Sequence, residues 1–205
     1  VRFLVDYPIW HDEAFLAASL WDRGPAELAK PLEYGQVAPW MFLLVERLFV
    51  TTLGYNEMTL RLFPTLCSMA SVVVFRHMAA RVLRGWALVL ATAILAVAFY
   101  PIRHGNEIKP YATDLLAAIV LLTIAVEYLR RPDRSRWWWI GAAAMPALLG
   151  MSYPAVFVAG GVAAALAPGI LLKGSNRVRA GFVAYGLAMV ATFAVIYLAA
   201  TVSQQ

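Results

Sequence analysis

Residues 111–139 read YATDLLAAIVLLTIAVEYLRRPDRSRWWW, and this stretch decides the fold. From Tyr111 to Leu129 the chain is predominantly apolar, and as a helix it reaches the ~30 Å of a bilayer's hydrocarbon core. It breaks at Arg130-Arg131-Pro132-Asp133. Trp137-Trp138-Trp139 then opens a second apolar run, as an interfacial aromatic belt would. The unit is a crossing, a basic loop and a return.

The same unit recurs on either side. Leu60 to Ala80 leads into Arg76, Arg81 and Arg84, and Trp86 to Tyr100 returns. Trp137 to Met151 closes the second unit, and Ser152-Tyr153-Pro154 turns the chain. Ala155 to Leu172 leads to Lys173, Arg177 and Arg179, and Gly181 to Val202 returns. The expected fold is all-α: a polytopic integral membrane bundle of about six spans, with interfacial helices in the first outer loop.

Charge supports this reading. Ten of the seventeen Lys and Arg residues lie in those three basic loops, together with one acid, Asp133, of twelve. Loops at every second connection fall on one side, which the positive-inside rule makes cytoplasmic. The hydrophobic fraction of 62% exceeds what a soluble domain of this size can bury. The net charge of +5 follows the loops, so it does not argue for a nucleic-acid partner. Cys67 is the single cysteine, which excludes an internal disulfide, and it falls in an apolar span.

Residues 1–205 read as one membrane domain, a fragment of a longer module, with Val1 to Val5 as the tail of an earlier span and Gln205 as a truncation point. Residues 6–59 form the first extracytoplasmic loop and residues 60–202 the transmembrane helices. His11 to Trp21 is an interfacial helix ended by Asp22-Arg23-Gly24-Pro25, and Pro25 to Gly35 is a polar loop. Trp40 to Gly54 is apolar but carries Glu46-Arg47 at its centre, with Arg47, Thr51 and Gly54 as a polar stripe. It reads as a second interfacial helix, with a span as the alternative, because a charged pair at mid-depth is costly.

Two groups carry candidate chemistry. Asp12 and Glu13 are adjacent, so on a helix they point about 100° apart and suit different roles. One can face a reaction cavity while the other binds backbone, cation or metal. The structural alternative is a cap by Asp12, with Glu13 favouring the positive end of the helix dipole. The second group is Arg103, His104, Glu107, Lys109, Tyr111 and Asp114, in the loop opposite the basic ones. A cation beside a phenol at headgroup level suits a lipid phosphate; singly, Lys109 could snorkel and Tyr111 could belong to an aromatic belt. Glu57 and Arg61 read as an i,i+4 pair. His11, Asp12, Glu13, His104 and Glu107 leave a divalent metal open as a cofactor, without diagnostic spacing.

The ordered set has a family likeness. An acidic pair, His11-Asp12-Glu13-Ala14, is followed by a Pro-led interfacial helix at Gln36-Val37-Ala38-Pro39-Trp40. Then come Leu60-Arg61-Leu62-Phe63-Pro64, an Arg loop, and an outer loop ending in Lys109-Pro110-Tyr111. From about Trp10 to Pro168 the chain resembles the N-terminal membrane module of the GT-C glycosyltransferases, in the protein O-mannosyltransferase and lipid A aminoarabinose transferase group. The resemblance implies transfer of a sugar from a polyprenyl-phosphate donor to a protein, lipid or glycan acceptor. It places that chemistry on the periplasmic side of a bacterial inner membrane. It makes Asp12 the general base and Glu13 its partner, with Lys109 and Tyr111 as contacts to the lipid phosphate. Arg103, His104 and Glu107 join them as substrate-binding candidates. Gln36 stands where relatives often have a charged or polar residue before a Pro-Pro pair; here the residue is neutral and the second Pro is absent. Two other classes stay open: a transporter or flippase of a lipid-linked sugar, and a non-catalytic membrane scaffold.

Overall fold

The computed structural model describes residues 8–202, and these are helical with no strand. The helices are α1 (His11–Asp22), α2 (Trp40–Leu53), α3 (Glu57–Ala79), α4 (Gly85–Val97), α5 (Phe99–His104), α6 (Tyr111–Arg130), α7 (Arg136–Met151), α8 (Ala155–Lys173) and α9 (Asn176–Val202). The expected earlier span at Val1 to Val5 and the terminus at Gln205 lie outside the described residues.

All six expected spans are helical, and α3, α6, α8 and α9 have the length and composition of a membrane crossing. The protein is therefore an integral membrane helical bundle. The other two are shorter, α7 at 16 residues and α4 at 13. Pro101 explains the second. Had the helix begun at Trp86 continued past Tyr100, Pro101 would have removed a helical hydrogen bond and clashed with the preceding turn. The chain instead goes extended at Ala98 (φ −63°, ψ 134°) and starts α5, where Pro101 occupies a first-turn position that needs no N–H. Similarly, α3 begins at Glu57 rather than Leu60, because Asn56 Oδ1 accepts from the Thr59 amide at 2.9 Å and caps it.

Contacts at both ends fix the directions of the helices. Arg81, just past α3, lies 2.7 Å from Glu127 near the end of α6, while at the other end Thr65 donates to Gly105 O at 2.9 Å. So α3 and α6 run parallel. Thr113 donates to Met151 O at 2.9 Å, joining the start of α6 to the end of α7, which are antiparallel. The loops at 80–84 and 131–135 therefore share one end, and the N-terminal region, residues 105–110 and the turn at 152–154 share the other. Half of α6's apolar window is buried against 6% of α9's, so α6 is central and α9 peripheral.

Trp138 differs from the expected interfacial belt. It is fully buried, with ring centroids of Tyr128, Phe182 and Tyr185 at 5.2, 5.0 and 5.2 Å. Only its neighbours Trp137 and Trp139 keep partly exposed faces. Three consecutive helical residues cover most of a turn, so one of them must face inward.

The N-terminal region is packed rather than loosely attached. α1, α2 and the single 3-10 turns at Glu27–Ala29 and Glu33–Gly35 bury Leu16, Leu20, Leu28, Phe42 and Leu43 together with Leu60 and Ile108. Phe15 stacks on Tyr34 at 4.1 Å. Arg47 turns back to the C-terminal carbonyls of α1, donating to Leu20 O at 2.9 Å and to Arg23 O. It thereby serves as a cationic C-cap rather than part of a water-facing stripe. Its neighbour Glu46 is fully buried, with no hydrogen-bond partner on either carboxylate oxygen among the described residues. Burial pushes its carboxyl well above the usual range.

Candidate functional site

A cleft of about 430 Å³ opens at the end opposite the basic loops, between the start of α1, the start of α3 and the α5–α6 connection. Asp12 and Glu13 line it from α1, and Arg61 from α3. Arg103, His104, Glu107, Lys109 and Tyr111 line it from the connection. Every candidate named from the sequence is therefore on this wall except His11, Gln36 and Asp114. Gln36 lies just behind it, its Oε1 accepting from Lys109 Nζ.

Asp12 and Glu13 diverge as adjacent helical residues must. Glu13 is the buried one, its side chain 6% exposed. Its Oε2 accepts from the Trp10 amide at 2.9 Å, which caps α1, and its Oε1 accepts from the Ile108 amide at 2.8 Å. Arg61 Nη2 stands 3.8 Å away, and the same guanidinium reaches Glu57 at 3.8 Å. Glu13 thus clamps α1 to α3 and to residue 108. The cap expected of Asp12 is made by Glu13. Asp12 is left with a side chain 57% exposed, and among the described residues only His11 Nδ1, at 4.0 Å, forms an ion-pair contact with it.

Residues 103–109 are held by a similar device. Glu107 accepts from Arg103 Nε and His104 Nδ1, both at 2.8 Å. An ionised carboxylate only accepts, so His104 carries its proton on Nδ1 in this contact. Burial works against the Glu107 charge, but the hydrogen bonds and charges of His104 and Arg103 prevail and hold its carboxyl below the usual range. The His104 ring lies 4.6 Å from Tyr111 and 5.9 Å from Tyr100.

Gly105 permits this segment to lie on α3. A Cβ there would stand 2.6 Å from Ser68 Cβ and 2.9 Å from Pro101 O. The close approach lets Thr65 reach the Gly105 carbonyl.

The cleft is therefore electrostatically uneven. Glu13 answers Arg61, and Glu107 answers Arg103 and His104. Lys109 meets a neutral amide, which leaves its charge uncancelled by that contact. A solvated carboxylate and an ammonium thus share one pocket, as proton transfer beside a developing anion requires. Among the described residues, no three His, Cys, Asp or Glu side chains converge as a metal centre. Glu13 and Glu107 are already committed to cations and backbone, so the donor set does not fit a metal here.

The sequence candidates missed Arg61 as a wall of the cleft. Its i,i+4 spacing from Glu57 was visible, but its approach to Glu13 was not. No protein-family model, curated protein or solved structure matches the chain.

Proposed function

We propose that the cleft is the donor site of a membrane glycosyltransferase that moves a sugar from a polyprenyl-phosphate carrier to an acceptor on the extracytoplasmic face. The reading takes all six apolar helices as crossings, α4 and α5 together completing one return, in a bacterial inner membrane with the cleft on its periplasmic side. Asp12 takes the proton of the acceptor hydroxyl as that oxygen bonds to the anomeric carbon. The carbon–oxygen bond to phosphate breaks, its electron pair goes to the phosphate, and Lys109 and Tyr111 stabilise the departing charge. Arg103 and His104, fixed by Glu107, line the same path.

The observation that carries the reading is Asp12, exposed in a cleft that also holds Lys109 with its charge uncancelled by Gln36. Transport has less support, since the charged residues of the four spans lie near their ends rather than at mid-depth.

The test is the pool of polyprenyl-phosphate sugars, measured by mass spectrometry in membranes of the source organism. The intact gene is compared with Asp12→Asn at equal protein level. Loss of a general base predicts a fall of roughly 10²–10⁴-fold in transfer. Accumulation of one carrier-linked sugar is the expected result. An unchanged pool would return Asp12 to an ordinary surface residue.

A further inference from the structure

A second cavity, about 310 Å³, lies at the basic end of the bundle, lined by Arg76 of α3 and by Leu88, Val89, Thr92, Ala93 and Ala96 of α4. Its two ends differ chemically. Arg76 sits three residues before the end of α3, within its last turn beside the basic loop. The α4 wall runs inward from there, and Leu88 to Ala96 covers roughly 12 Å along the helix axis. The wall is apolar throughout, because the Thr92 hydroxyl is turned back to Leu88 O at 2.8 Å.

Two of the cations near Arg76 are directed at α6. Arg81 and His77 face Glu127 of α6 at 2.7 and 3.9 Å, and Arg81 also meets His77 at 2.9 Å. Arg76 makes no side-chain hydrogen bond or ion pair among the described residues. The face is uncovered too: none of the thirteen residues of α4 is buried, and Trp86 at its basic end is 79% exposed.

We propose that this groove binds an anionic phospholipid, with its phosphate on Arg76 and an acyl chain along the α4 wall. A cation beside the basic loop, above an apolar channel, complements such a lipid, and anionic lipids are drawn to the positive side of a membrane protein. The site is independent of the chemistry in the opposite cleft.

The test is native mass spectrometry of the full-length protein in detergent, titrated with phosphatidylglycerol or with phosphatidylcholine of the same acyl chains. Phosphatidylglycerol should be retained at about fivefold lower concentration, the effect of one arginine at the headgroup. Arg76→Gln should abolish the preference, Arg76→Lys should keep part of it, and Ala93→Phe should weaken binding of both lipids. Arg131→Gln, in another basic loop, should leave the preference intact. Equal retention of the two lipids would overturn the proposal. So would an Arg131→Gln loss as large as that of Arg76→Gln, which would mean diffuse attraction. A nitroxide at Ala93 shielded from lipid-dissolved oxygen in liposomes would overturn it as well, because another helix would then cover the groove.

Discussion

Glu13→Ala tests whether the candidate cleft is held together by one side chain. The substitution removes the acceptor of two backbone amides, Trp10 and Ile108, and leaves Arg61, 8% exposed, without its buried partner. Charged hydrogen bonds are worth about 1.5–3 kcal/mol each, and breaking one side of a buried ion pair costs about 3–5 kcal/mol. These terms overlap, since all three contacts share one carboxylate. Glu57, 3.8 Å from the same guanidinium, also softens the loss. A net cost of about 4 kcal/mol follows for undocking α1 from residues 103–109. Native-state hydrogen exchange in detergent reads this directly, because the Ile108 amide is buried and bonded to Glu13. Its protection should fall by about a thousandfold, whereas amides in the middle of α6 and α8 keep theirs. Asp12→Asn, one residue away, should leave Ile108 protection unchanged. Protection at Ile108 within tenfold of wild type in Glu13→Ala would refute the clamp.

Other predictions follow from the same contacts. Glu46→Gln should raise the apparent Tm at pH 8 and leave it little changed near pH 4. Burial raises the folded carboxyl, so the folded state holds a proton that the unfolded state releases, and stability falls as pH climbs above the ordinary glutamate value. Parallel Tm curves for the two proteins between pH 4 and 8 would exclude that account. Glu107 has the opposite sign. Its lowered carboxyl contributes stability above the ordinary glutamate value, and this is lost as pH falls through the lowered value. Glu107→Gln should therefore flatten the acid limb of the Tm profile. Gly105→Ala should cost about 1–3 kcal/mol in thermal unfolding, because the new Cβ meets Ser68 and Pro101 O. Adding Ser68→Gly should restore part of that loss but not all, since the Pro101 carbonyl stays in place.

The helical elements were legible because their causes are local. The run from Tyr111 to Leu129 and the break at Arg130-Arg131-Pro132-Asp133 predict a helix that the structure ends at Arg130. Ala155 to Leu172 likewise differs from the observed helix by one residue. Apolar runs, prolines and charged loops act within a few residues of themselves. Even the missed break at Ala98 has its signal nearby, in Pro101.

What the chain could not state was how its polar groups are shared. The sequence marked Asp12 and Glu13 as two carboxylates with different tasks and left the tasks open. The assignment came from Ile108, which lies 95 residues from Glu13 in the chain and 2.8 Å from it in space. Arg81 and Glu127, Lys109 and Gln36, and the burial of Glu46 and Trp138 are of the same kind. A side chain's charge is written in the sequence, but whether that charge is cancelled, buried or offered to a ligand depends on which helix packs against it. Composition and periodicity alone determined an all-helical membrane bundle with its positive loops on one side. Only tertiary packing brought the charged segments of α1, α3 and the α5–α6 connection into one cleft, committed Glu13 to holding it together, and left Asp12 facing the pocket.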